Sequence, residues 1–302
     1  MRHSPTKVRL SPAGVHFFDR SSGWNVLLEE VAPPKESWAR APRQVSIALT
    51  NRCDLACAYC YAPKSRDELN CKTLKGWLEE FDQNGAIGVG FGGGEPTLHT
   101  DFADLCRFAS ESTGLGVTFT THGHHLTDEL LGQLQGHVHF VRISMDGVGS
   151  TYEALRRRSF AALCDRIRAA RKIVPVGLNV VVNAATFADL PAMTALATDL
   201  GASEILLLPE QATRRRSRLD GVMSTKLQAW VRAYRGPVRL AISVQEAAGL
   251  PIADPFAGES PLESYAHIDA QGILKKTSFH LAGISIGDAG VMAALDHLRN
   301  SP

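Results

Sequence analysis

"SIALTNRCDLACAYCYAPKS", residues 46–65, places three cysteines, Cys53, Cys57 and Cys60, within eight positions directly after a strand-like run. A tetrahedral zinc site or a cysteine-held iron–sulfur cluster normally takes four protein ligands. The C-x3-C-x2-C spacing, with Tyr59 just before the last cysteine, supplies one thiol too few. Either Cys71 or a histidine completes a zinc site, or the missing corner belongs to something other than protein.

Outward from this stretch the chain alternates strand-like and helix-like segments. After "QVSIALT" (44–50) come a helical "LKGWLEEFDQN" (74–84) and a short "GVGFGG" (88–93). Helical 101–112 leads to strand-like 115–121, 127–135 to 138–144, a long helical 151–173 to 176–182, and 189–201 to 204–209, with 225–235 as a closing helix. Such alternation predicts a parallel sheet with right-handed crossovers. Six βα units are too few for a closed eight-stranded barrel, so the fold class is α/β, a partial (β/α)6 TIM-like barrel over residues 44–236. Residues 1–43 form an N-terminal hairpin, "GVHFFDRSSGWNVLLEE", and a proline-punctuated linker. Residues 237–302 form a small C-terminal α/β extension: strand-like "VRLAISV", a hairpin "YAHIDAQGILKKTSF" turning at Gln271-Gly272, and a final helix. In barrels of this kind chemistry sits at the C-terminal ends of the strands, which is where the three-cysteine loop falls.

Composition narrows the function. The 302 residues carry 32 Lys plus Arg against 31 Asp plus Glu, a net charge of +1, so no global field draws the chain to nucleic acid or membrane. No signal-peptide core and no apolar run of roughly 18 residues is present, which reads as a cytoplasmic protein. Six cysteines in a reducing compartment, three of them clustered, favour metal or redox chemistry over disulfides. Cys71, Cys106 and Cys164 fall at or within helical segments and read as small packing residues. Gly88, Gly90 and Gly93 spell G-x-G-x-x-G, but the first two lie inside a strand and Pro96 follows closely, against a dinucleotide fingerprint.

C-x3-C-x2-C after a first strand, an aromatic before the last cysteine and "GGGEPT" (92–97) after the second strand together resemble the radical S-adenosylmethionine (SAM) enzymes, over about residues 44–235. The resemblance implies that Cys53, Cys57 and Cys60 hold three irons of one [4Fe–4S] cluster and that SAM chelates the fourth through its amino and carboxylate groups. It implies a SAM-ammonium site at Gly93, Gly94 and Glu95, ribose and carboxylate contacts at Ser144 in "SMDG" (144–147), and Arg156 or a neighbouring arginine at the SAM carboxylate. Tyr59 belongs to the cluster loop, and Asn179, Val181 and Leu207 to Pro209 line the ribose and adenine. Read without the resemblance, Ser144 and Asp146 are also ordinary strand-ending turn residues. His122 stands where the family often has asparagine; His122, His124 and His125, and the arginines of "TRRRSR" (213–218), Arg214 to Arg218, have no assigned role, and no hydrogen-donor or base residue is identified.

The hairpin "AHIDAQGILKKTSF" resembles a SPASM or twitch extension, with Thr277 where such extensions have a cluster-ligating cysteine and no cysteine after Cys164. The outline is that of peptide-modifying maturases. It implies reductive SAM cleavage to a 5′-deoxyadenosyl radical that abstracts hydrogen from a ribosomally made precursor peptide, for crosslinking, epimerisation or excision. A flavodoxin-type reductant and a separate leader-recognition protein are the implied partners. A small-metabolite substrate, and a non-catalytic zinc or iron–sulfur interaction module, are the alternatives.

Overall fold

The computed structural model describes residues 4–212, 218–243, 247, 249–250, 252–253, 256 and 258–301. The chain opens with an antiparallel sheet of β1 (Thr6–Ser11), β2 (Gly14–Asp19) and β3 (Trp24–Leu28). The alternating core follows as β4 (Gln44–Thr50), α1 (Cys71–Gln83), β5 (Gly88–Gly93), α2 (Phe102–Ser112), β6 (Gly116–Thr121), α3 (Asp128–Leu134) and β7 (Phe140–Ser144). It continues through α4 (Ser150–Arg156), α5 (Phe160–Arg171), β8 (Val176–Val182), α6 (Leu190–Asp199), β9 (Glu204–Pro209) and α7 (Gly221–Ala233). The C-terminal part contributes β10 (Arg239–Ile242), α8 (Pro261–Ser264), β11 (Tyr265–Ile268), β12 (Ile273–Lys275), β13 (Ile284–Ser285) and α9 (Gly290–Asn300).

These strands form a ten-stranded sheet in the order β10-β9-β8-β7-β6-β5-β4-β11-β12-β13. Every pairing from β10 to β11 is parallel and only the last two pairings, β11 with β12 and β12 with β13, are antiparallel, consistent with a partial TIM-like α/β fold. The period-two pleat explains the layers. Val45, Ile47 and Leu49, then Val89 and Phe91, then Val141 and Ile143, are buried in the hydrophobic core. The alternate positions, such as Gln44, Ser46, Gly90, Gly92, Arg142 and Ser144, line an interior cavity. The sheet therefore curls around small and polar side chains.

Two expectations change. The parallel run exceeds six strands: β10 adds to β9, and β11, from the C-terminal segment, pairs in parallel with β4. Ala266 and Ile268 are fully buried, so β11 gains its ladder and its core contacts by docking on the edge that β4 would otherwise expose. The long helix expected over 151–173 is two helices, because Arg157 takes a left-handed conformation (φ 54°, ψ 40°) at the end of α4 and the Ser159 side chain caps α5 by accepting from the Ala162 N–H at 3.2 Å. The N-terminal sheet is tied down by Arg9, buried, whose guanidinium donates to the carbonyls of Ala41 (2.9 Å), Gly85 (2.8 Å) and Glu263 (3.1 Å).

Candidate active site

Cys53, Cys57 and Cys60 sit in the loop after β4, and all three line the interior cavity, about 1080 Å³ in volume. Cys57 is buried and the other two are half-buried; all three are free thiols. The loop turns tightly, Cys60 N–H donating to the Cys57 carbonyl at 3.2 Å, and Leu55 N–H points at Cys53 Sγ, 3.4 Å away. Lys64 Nζ lies 3.8 Å from Cys60 Sγ. Cys71 opens α1 and does not line the cavity, and Cys106 and Cys164 are buried in the core, so none of them is a fourth ligand.

Tyr59 is anchored by Asp146, a residue with no solvent exposure at all. The Tyr59 hydroxyl donates to Asp146 Oδ2 at 2.6 Å, Arg156 Nε donates to the same oxygen at 2.8 Å with Nη2 also in contact, and Val181 N–H donates to Oδ1 at 2.7 Å. Burial and the adjacent carboxylate push the Tyr59 phenol up, so it stays a proton donor. Burial works against the Arg156 charge, but the Asp146 carboxylate outweighs it and holds Arg156 protonated. Arg156, expected at a SAM carboxylate, lines the cavity and pairs with Asp146, a residue of the "SMDG" segment that the sequence reads either as ligand-contacting or as a strand-ending turn.

Gly93, Gly94 and Glu95 follow β5 as expected. A Cβ on Gly93 (φ 127°) would lie 2.3 Å from the Thr50 carbonyl oxygen and one on Gly94 2.2 Å from that of Arg52, so this segment presses on the cysteine loop and no side chain fits there. A Cβ on Gly92 meets nothing within 4 Å. Glu95, buried, accepts from the hydroxyls of Thr121 and Thr97, both at 2.7 Å, and from the His122 N–H at 2.9 Å. His122 Nδ1 accepts the His124 N–H at 3.1 Å, which leaves the proton of a neutral ring on Nε2, 2.8 Å from Asp54 Oδ1. Cys53, Asp54 and His122 bring potential ligand atoms within 4.8 Å of one another, but both His122 nitrogens are already engaged. His124 bonds the Tyr152 hydroxyl at 2.8 Å, and burial pulls its pKa down to about 4.

Ser144, Asn179 and Val181 line the cavity at the ends of β7 and β8. Leu207 does not: it is 1% exposed within the core, while Leu206 and Leu208 face inward, the one-residue alternation of the strand deciding the side. Among the described residues Asn179 Oδ1 and Glu210 Oε1, on residues 8% exposed, have no hydrogen-bond partner, and both residues line the cavity. Glu210 was not singled out from sequence, nor were Asp54 and Arg158. Arg218 reaches the cavity wall; residues 213–217, with Arg214 to Arg216, lie outside the described residues. From the C-terminal part, Lys276, Thr277 and Phe279 border the opening, Phe279 against Tyr61 with ring centroids 4.9 Å apart.

Three thiols with no fourth cysteine at the cavity among the described residues, a glycine-walled approach and a buried carboxylate beside them define the site, and residues 47–196 match the Radical SAM superfamily. The chain carries a radical SAM domain. PqqA peptide cyclase of Xanthomonas campestris pv. campestris (strain B100) is 32% identical over 175 residues, 54% of this chain and 46% of that protein. Mycofactocin maturase MftC of Mycobacterium tuberculosis (strain ATCC 25618 / H37Rv) is 29% identical over 173 residues, 54% of this chain and 44% of its own length. The chain therefore spans about half the length of the curated relatives it matches. Among solved structures, Streptococcus suis SuiB bound to precursor peptide SuiA superposes with a TM-score of 0.77 at 12% identity, covering 100% of this chain and 89% of that one. The anSMEcpe structure with bound AdoMet gives 0.62 at 16% identity, covering 80% and 76%.

Radical SAM domains hold a [4Fe–4S] cluster and SAM, and the residues present fit both. Cys53, Cys57 and Cys60 would supply three thiolates, the open Cβ direction at Gly92 leaves room for a ligand, and Asn179 and Glu210 carry buried oxygens, unpaired among the described residues, that would accept from ammonium and hydroxyl groups of the kind SAM carries. No helix among the described residues is long and apolar enough to cross a membrane.

Proposed function

We propose that this chain modifies a ribosomally made precursor peptide by abstracting a hydrogen atom from it. The observation that carries the reading is one continuous cavity, about 1080 Å³, running from the three thiols to a mouth bordered by the C-terminal segment. This volume lies at the upper end of the range of about 300–1,000 Å³ usual for small-molecule sites, so it has room for a ligand of the size of SAM, and a peptide would enter from the mouth. Tyr61, Phe279 and Leu281, 46%, 49% and 97% exposed, gather at that mouth and offer apolar contact to a peptide. The names of the relatives, a peptide cyclase and a maturase, and the precursor peptide in SuiB point the same way.

When bound, the cluster and SAM supply a 5′-deoxyadenosyl radical by reductive cleavage. The chain's own residues orient: Asp146 and Arg156 fix Tyr59 between two ligating cysteines, and Glu95 is held by Thr97, Thr121 and His122, where it would face the SAM ammonium. In this reading residues 44–236 are the catalytic core, residues 1–43 and 237–302 flank it, and Thr277 marks an extension without an auxiliary cluster. Electrons then enter the single cluster directly from a flavodoxin-type donor, a separate protein delivers the leader segment, and the thiols imply a reducing cytoplasm.

The test uses short peptides encoded beside this chain's gene, deuterated at carbon, with reconstituted protein, SAM and reductant. Deuterium in the 5′-deoxyadenosine with a matching mass change in one peptide is the expected result. Unlabelled 5′-deoxyadenosine with every peptide unchanged would contradict the peptide reading.

A further inference from the structure

The stretch "YEALRRRSF" (152–160) puts three consecutive arginines at the junction of α4 and α5. Arg157 is the one residue other than glycine among the described residues with positive φ, and its side chain is exposed. L-residues resist this conformation, so neighbouring contacts must hold it. The kink sends the two flanking arginines to different targets. Arg156 meets Asp146, which also takes the hydroxyl of Tyr59, the residue just before Cys60. Arg158 Nη2 meets Asp54, the residue just after Cys53, through Oδ2 at 3.0 Å and the carbonyl at 3.3 Å. On its other side Asp54 Oδ1 is met by His122, whose own N–H is fixed on Glu95. Both ends of the three-cysteine loop are therefore gripped from one helix break, and the Cys53 end is also strapped to the end of β6. None of these contacts needs a metal.

We propose that the Arg156-Arg157-Arg158 break, acting with Asp54 and His122, is a clamp of positioning residues that sets the cysteine loop in its ligating shape before an iron–sulfur cluster arrives. Many metal loops are unformed until the metal binds. Here every contact that holds the loop is between protein groups, so cluster insertion is expected to carry little ordering cost and cluster loss to leave the loop in place. The inference rests on the cluster reading of Cys53, Cys57 and Cys60 and is independent of the substrate.

Because the Arg157 side chain is exposed, its substitution separates backbone geometry from side-chain chemistry. Arg157→Gly accepts the left-handed conformation freely, whereas the β-branched Arg157→Val resists it. Two quantities are read on the full chain: hydrogen exchange of the metal-free protein over residues 53–61, and the rate at which reconstituted protein yields iron to a chelator. Arg157→Gly is expected to match the native chain in both, and Arg157→Val to be faster by about tenfold in both. Arg158→Met is expected to behave like Arg157→Val, and Arg158→Lys, which keeps a donor for Asp54, to recover most of the loss. Native exchange and iron retention in Arg157→Val and Arg158→Met would overturn the clamp, as would equal failure of Arg157→Gly, or losses that merely follow the urea midpoint of each variant. Failure of the native chain to bind iron would instead sink the cluster reading, while the exchange arm still reports on the clamp.

Discussion

Replacing Asp146 by Asn removes the charge that anchors the loop while keeping the size of the side chain. Asp146 has no solvent exposure and accepts from Tyr59, Arg156 and Val181. Asn keeps one carbonyl oxygen, enough for the Val181 N–H, but turns an NH₂ toward Arg156, whose side chain is only 11% exposed. A buried guanidinium is then left without its counter-charge, and breaking such a pair from one side costs about 3–5 kcal/mol. Against a typical total of about 5–15 kcal/mol this is a large share. With a urea slope of about 3 kcal/mol per M for a chain of this size, the unfolding midpoint of the metal-free protein falls by about 1 M or more. The double substitution Asp146→Leu with Arg156→Met removes both charges and is expected to lose less than Asp146→Asn alone, since the penalty lies in the orphaned charge. A midpoint for Asp146→Asn within about 0.2 M of native, or a double variant clearly worse than the single, would refute the argument that this buried pair holds the loop.

Other outcomes follow from the same geometry. Gly94→Ala drives a Cβ to 2.2 Å from the Arg52 carbonyl oxygen and is expected to destabilise by about 1–3 kcal/mol or more in urea unfolding. Gly92→Ala meets open space, so it keeps native stability to within about 0.5 kcal/mol while weakening SAM binding in equilibrium dialysis. Burial lowers the pKa of His139 and of His267 to about 4 from 6.5. The native chain then binds fewer protons than the unfolded chain between these values, so their contribution is fully present above pH 6.5 and lost as pH falls toward 4, visible as a falling urea midpoint over that window.

The radical SAM core was legible because its signals are local. Cys53, Cys57 and Cys60, the Gly92–Glu95 turn and the βα alternation are each a short run whose spacing carries its own meaning. What escaped was set by contacts far apart in sequence. Asp146 reads as one residue of a ligand-contacting or turn segment, and its anchoring role emerges only when Tyr59 and Arg156, 87 and 10 residues away, converge on it. Asp54 is one acid in a motif defined by its cysteines, and only the fold brings His122 and Arg158 to it. Leu207 is placed beside the ribose and adenine by family resemblance alone, and a single-residue register decides which way a strand side chain points. The helix break at Arg157 left a readable trace in Ser159, a capping residue before an apolar run, which three helix-favouring arginines outweighed. That β11 completes the parallel sheet beside β4 could not be read locally, because a four-residue strand does not name its partner.

The most direct measurement is anaerobic. Protein reconstituted with iron and sulfide, reduced with dithionite and given SAM is followed for 5′-deoxyadenosine by mass, with Cys57→Ala as control. About four irons per chain and 5′-deoxyadenosine that the control abolishes are the predicted result, from three thiolates and a SAM-filled fourth corner. Zinc bound in place of iron, with no affinity for SAM, would contradict it.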